Sequence, residues 1–213
     1  MSDRSANRLS TLQPFPELLS RGGVEPARVF DRAGIAGRPG DDPLQIISRA
    51  QLATAADFAA RLLGDNLLAL HYAEAIDLHQ LGPPIIAVAL TATLGEGLAC
   101  MARFLPSLQR GTSVSLRVTG GQATLFYELA GGDPRQIWLL YEASIGVFVR
   151  LIRNFLGSQW RPSMIYLPVH RGACSRDYED FLRVPVRFTD GMAAIRFAAA
   201  DLSSSLAIFG RGW

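Results

Sequence analysis

The feature that most constrains this chain is a pair of alternating segments around two glycines. Thr112 to Thr119 places Val114, Leu116 and Val118 on one face and Ser113, Ser115 and Arg117 on the other. Ala123 to Leu129 alternates in the same way, and Gly120-Gly121 stands between the two. Period-two patterning on both sides of a two-residue glycine turn specifies an antiparallel hairpin. The chain must therefore contain a sheet, although most of its remaining apolar positions recur at three and four.

Before the hairpin the pattern is helical. Pro14 to Gly34 reads as a helical segment cut in two by Gly22-Gly23 and Pro26. Leu44 to Leu63 reads as one helix, Leu67 to Glu74 is apolar, and Ile85 to Thr93 is expected to be helical behind Gly82-Pro83-Pro84. Thr93 with Glu96 three residues on forms a capping-box signal for a helix that Pro106 ends. After the hairpin, Asp133-Pro134 opens a helix over Arg135 to Leu156, and Gly157 stops it. That helix is apolar nearly all round, which suits the centre of a core or a two-fold contact. Trp160 to Val169, Val184 to Phe188 and Met192 to Ala198 read as strands, Ser175 to Leu182 as a short helix, and Asp201 to Leu206 as a final turn or short helix. Helices first and a helix–strand mixture afterwards indicate α+β: an N-terminal helical segment, then a mixed helix and antiparallel-sheet domain. Residues 1–13 are polar and read as a flexible arm, 14–206 as a single domain, and 207–213 as a tail.

Composition removes several function classes. The 213 residues are 49% hydrophobic and 19% charged, with a net charge of +2. All 21 basic residues are arginine, so no Schiff-base lysine or phosphate-loop lysine exists. The charge is too small and too scattered for nucleic-acid binding by this chain. No leader-like apolar run follows Met1 and no stretch is long enough to span a membrane, so the expectation is a cytoplasmic, bacterial-type protein.

Catalytic and metal patterns are also missing. His71 and His79 are eight apart and His170 is remote, which is no ligand spacing. Cys100 and Cys174 match no zinc or redox motif. Glu142 to Gly146 approximates a nucleophile elbow, but it lacks the first glycine and sits inside a helix. Asp41-Asp42 and the trio Asp177, Glu179, Asp180 read as solvated faces. No cofactor cradle is apparent, and an enzyme is not expected. What remains is a set of aromatic and arginine residues on elements that could converge: Arg103, Tyr127, Trp138, Tyr141 and Tyr166. Between the hairpin and the long helix they would make an apolar pocket with a few polar groups, the usual make-up of a small-molecule site.

An ordered series of short segments then carries a family resemblance. It runs Gly64-Asp65, Leu81-Gly82, Thr93 to Leu98, Ala102-Arg103-Phe104-Leu105-Pro106, Leu156-Gly157-Ser158-Gln159-Trp160-Arg161-Pro162, Tyr178 to Phe181, and Val184 to Phe188. In order and spacing it resembles the N-terminal effector domain, of arabinose-binding type, of AraC-family transcriptional regulators, from about Leu18 to Leu206. The resemblance implies an effector-sensing domain that binds a small molecule and forms a homodimer. It also implies DNA binding through a C-terminal pair of helix-turn-helix units, which this sequence does not contain. Pro83-Pro84 departs from the family pattern. The alternative reading is a standalone protein-interaction module that dimerises without a ligand.

Overall fold

The computed structural model describes residues 6–42, 44–78, 85, 87–88, 90–131, 137–168, 175–190 and 192–205. His79, Pro83-Pro84, Asp133-Pro134, His170, Cys174 and the tail 207–213 lie outside the described residues, as does part of the helix expected over Ile85 to Thr93.

The fold is mixed α and β, built around one long helix. In chain order the helices are α1 (Phe15–Arg21), α2 (Pro26–Arg32), α3 (Arg49–Leu63), α4 (Leu68–Ala75), α5 (Leu94–Phe104), α6 (Trp138–Leu156) and α7 (Ser175–Leu182). The strands are β1 (Ala6–Arg8), β2 (Ile46–Ser48), β3 (Thr112–Thr119), β4 (Gln122–Leu129), β5 (Met164–Leu167), β6 (Val186–Phe188) and β7 (Ala193–Ala198). The large sheet has the order β3-β4-β7-β5-β6, with only β5 and β6 parallel.

Local chemistry sets the boundaries. The β3–β4 hairpin forms as the alternation requires, and both turn glycines have positive φ, +58° and +75°. Thr93 caps α5 by accepting from the Glu96 amide at 3.3 Å, while the Glu96 carboxylate accepts from the Ala92 amide at 2.9 Å. α6 ends at Gly157, whose φ of +96° a side chain would resist.

Two expectations are corrected. Leu44 to Leu63 is not one helix: Ile46–Ser48 is a strand, and α3 starts only at Arg49. Its start is a capping box, with the Gln51 amide donating to Ser48 Oγ at 3.1 Å and the Ser48 amide donating to Gln51 Oε1 at 3.0 Å. The expected flexible arm, 1–13, is also different where it is described. Ala6–Arg8 pairs antiparallel with β2, and the Arg110 amide donates to Ala6 O on the other side. A 3-10 turn follows at Leu9–Leu12, in which Leu9 and Leu12 are fully buried. Two leucines three residues apart thus anchor a segment whose average composition is polar.

Core packing follows from α6. Thirteen of its nineteen residues are buried. One side meets the inner sheet face, where the register puts Leu125, Ile195 and Ile165 in one row. The opposite side meets α4, with Gly146 against Ala73. Two charged residues of α6, Glu142 and Arg150, are bonded within the protein. Glu142 accepts from the Tyr178 hydroxyl at 3.1 Å. Arg150 donates to Ala73 O and, at 2.9 Å, to Ile76 O, which satisfies carbonyls at the end of α4. Of the two roles open to an all-apolar helix, α6 takes the core one.

Candidate functional site

α6 also walls a cavity. Six of its residues (Leu139, Leu140, Ala143, Ser144, Val147 and Phe148) face it as a continuous stripe. This is the i, i+1, i+4, i+5 pattern of a single helix side. Opposite stand Tyr72 and Ile76 from α4 and its end, and Met101 with Leu105, Leu108 and Gln109 from α5 and its exit. Leu52 and Ile85 add apolar surface, and Arg8, Ser10 and Thr11 close the wall from the N-terminal segment. The space between these atoms is about 870 Å³, counted out to its opening. The mostly apolar wall with a few polar groups has the composition of small-molecule sites.

The polar groups are held in place. The Tyr72 hydroxyl donates to Thr11 O, tying α4 to the N-terminal turn. Gln109 Oε1 accepts from the Tyr127 hydroxyl at 2.7 Å. The Tyr127 ring meets Tyr141 edge-on at 5.8 Å and Phe148 at 6.3 Å. Behind them Arg49, buried at the start of α3, donates to Arg110 O at 2.6 Å, Ala130 O at 2.6 Å and Gly131 O at 3.1 Å. This fork fixes the base of the hairpin and, with it, the backbone beside Gln109.

Burial raises the Tyr72 and Tyr127 phenols well above their ordinary value of 10.0; for Tyr127 the nearby Ser144 pulls weakly the other way. The consequence for stability has a definite sign. Below pH 10 both phenols are protonated whether the chain is folded or not. Above pH 10 the unfolded chain loses protons that the folded chain keeps, so stability falls as pH rises. The limit is about 1.4 kcal/mol per pH unit for each phenol. Urea unfolding at pH 9, 10 and 11 is expected to show this fall, and Tyr127→Phe to reduce it. Equal stability at pH 9 and 11 would contradict the burial of these hydroxyls.

None of the five residues singled out from the sequence lines this cavity. Tyr127 and Tyr141 form its backing, one layer behind Gln109 and Phe148. Trp138 is fully buried and donates from Nε1 to Asp57 Oδ1 at 2.7 Å, joining α6 to α3. Arg103 is exposed and stacks on Phe104, 5.7 Å from the ring centre. Tyr166 pairs with Ala194 and so points to the sheet face away from α6, under the Arg196 guanidinium at 5.2 Å. The cavity lies against the long helix as expected, but on its α4 and α5 side rather than toward the hairpin. The residues that sequence reasoning missed are Arg8, Tyr72, Gln109 and Ser144. Gln109 and Ser144 carry no sequence signal, and Arg8 was set aside with the arm.

Among the described residues no group of three or more His, Cys, Asp or Glu side chains could hold a metal. Nor is any described helix long and apolar enough to cross a membrane. His71 Nδ1 lies 2.7 Å from Asp65 Oδ2, which orients the loop after α3.

Comparison with known proteins agrees with the resemblance of the segments. The model of the arabinose-binding domain of AraC transcription regulators, N-terminal part, matches residues 23–206. Among solved structures, the transcriptional regulator CdpR from Pseudomonas aeruginosa is similar with a TM-score of 0.58 and 16% identity. That match covers 88% of this chain and 57% of CdpR, so the chain spans little more than half the length of that regulator. No curated protein matches. At 16% identity the structural match speaks for the fold, and the family model speaks for descent. The chain belongs to the family of N-terminal arabinose-binding domains of AraC transcription regulators.

Proposed function

We propose that this chain is the effector-sensing and dimerisation domain of an AraC-type bacterial transcriptional regulator and acts without catalysis in the cytoplasm. DNA would be contacted through a C-terminal helix-turn-helix part and not through this domain. Residues 14–206 would work as one domain, with Arg8, Ser10 and Thr11 of the preceding segment added to its site.

The observation that carries this reading is the cavity on α6. An apolar wall with a few fixed polar groups is suited to a small organic effector rather than to a polymer. α6 contacts the sheet, α3 and α4 as well as the cavity. Occupancy would therefore bias the packing of the whole domain, and a ligand that favours one packing shifts the population toward it. A purely protein-interaction module would need its apolar helix at the surface; α6 is inside.

A thermal-shift screen of the purified chain against a metabolite library tests the reading, with light scattering run beside it. A compound at one hundred times its dissociation constant is expected to add ~2.7 kcal/mol. For a chain of this length that raises the melting temperature by about 5–10 °C. The expected mass in solution is twice that of the chain. A broad library without a hit would count against an effector site, and a monomer at all concentrations against dimerisation.

A further inference from the structure

The wall of the cavity is chemically lopsided. Among the described residues that line it, Arg8 is the one charged side chain, and none of them is a carboxylate. Arg8 is half-buried, and its side chain makes no hydrogen bond or ion pair with any described residue. A half-buried guanidinium without a partner presents up to five donors in a fixed fork, the geometry that receives a carboxylate. Arg8 is also shared with a second hollow next to the cavity. Asn7, Ser107 and the exposed Arg110 help to line that hollow, and none of the described residues lining it is an acid. The Asn7 amide is buried without a hydrogen-bond partner. The remaining wall is mostly aliphatic. A polyol would leave most of its hydroxyls unpaired there, at a cost for each. A cation would meet only Arg8.

Resting on the effector-site reading above, we propose that the ligand is an amphipathic organic anion. Its carboxylate is held by Arg8, and its apolar chain or ring lies along the α6 stripe of Leu140, Ala143, Val147 and Phe148. β1 fixes the Arg8 backbone: its partner in the register is Ile46, and the next amide, Leu9, donates to Gln45 O at 2.8 Å. The anion site is thus built onto an ordered strand.

Titration of the full chain with decanoate, decanol and decylamine, which share a tail and differ in head group, tests the proposal. Displacement of the neutral dye N-phenyl-1-naphthylamine is the readout. Decanoate is expected to bind at least about tenfold more tightly than decanol, the worth of one charge-assisted hydrogen bond, and decylamine more weakly than either. Arg8→Gln should remove the preference for decanoate over decanol, and Arg8→Lys should restore part of it. Equal binding of decanoate and decanol, or an unchanged preference in Arg8→Gln, overturns the anion proposal. If the dye still binds in that case, the cavity reading survives without it. Failure of the dye and all three probes overturns both.

Discussion

Arg49→Met is expected to destabilise the chain by about 4 kcal/mol and lower its melting temperature by about 8–16 °C. The reason is geometric. The Arg49 guanidinium is buried and donates to three backbone carbonyls, Arg110 O, Ala130 O and Gly131 O. Methionine keeps much of the volume and supplies no donor. The carbonyls would remain buried without it, and each orphaned acceptor costs about 1–3 kcal/mol. Arg49→Lys keeps the charge, but a single ammonium cannot reach both sides of the fork, so partial recovery is expected. Because Arg110 follows Gln109, the polar edge of the cavity should loosen together with the hairpin base. Urea unfolding of the three proteins checks this. A loss of under about 1 kcal/mol in Arg49→Met would show that the fork carries little of the stability.

The second large effect is expected where α6 crosses α4. A Cβ on Gly146 would stand 2.6 Å from the Ala73 Cβ and 3.6 Å from Leu70 Cδ2. The contact is too close for two methyl groups, so Gly146→Leu must push the helices apart, at a cost of about 3 kcal/mol or more. The same movement displaces Tyr72 and Ile76 from Ala143 and Val147, so ligand binding should fall with stability. Gly146→Ala is the more informative change. It gains up to about 1 kcal/mol of helix propensity and loses more than that to the clash. Adding Ala73→Gly transfers the missing methyl group to the other helix and removes the clash. A double-mutant cycle is expected to give a favourable coupling of about 1–3 kcal/mol between the two sites. Additive effects would mean that the helices adjust freely at this crossing.

Turn and cap chemistry made much of the fold legible. Gly120-Gly121, Thr93 with Glu96, Gly157 and the bounds Ser175–Leu182 stand where the residues put them, because each signal is local. β2 was hidden because a three-residue strand is too short to show a period before an alanine-rich helix. The packing of Leu9 and Leu12 was hidden by the polar residues around them. Tyr166 shows a different limit. The alternation correctly separates Met164 and Tyr166 from Ile165 and Leu167. Yet Tyr166 and Ile165 are both buried, so hydrophobicity cannot say which face meets α6. Only the register with Ile195 decides it.

The site was less legible than the fold. Trp138 and Tyr141 lie on the helix that walls the cavity and Tyr127 on the hairpin behind it, but their rings are spent on packing against one another and Phe148 and on the bond to Asp57. The cavity arises where five separate stretches stop short of filling the space beside α6. Its polar members, among them Arg8, Tyr72, Gln109 and Ser144, are brought together by tertiary packing. The family signature is of the same kind: Trp160 donates from Nε1 to Asp201 Oδ2 at 2.9 Å, and Glu179 accepts from the Val186 amide at 3.1 Å. These residues hold the scaffold and are not part of the cavity wall.

The most direct test of the central claim is calorimetric titration of one screen hit into the chain and into Val147→Trp. Val147 belongs to the α6 stripe, and an indole there fills the space a ligand would occupy while the helix is retained. The account predicts a measurable one-site isotherm with the unmodified chain and none with the folded variant. Equal affinity in the two proteins would place the ligand elsewhere and contradict the account.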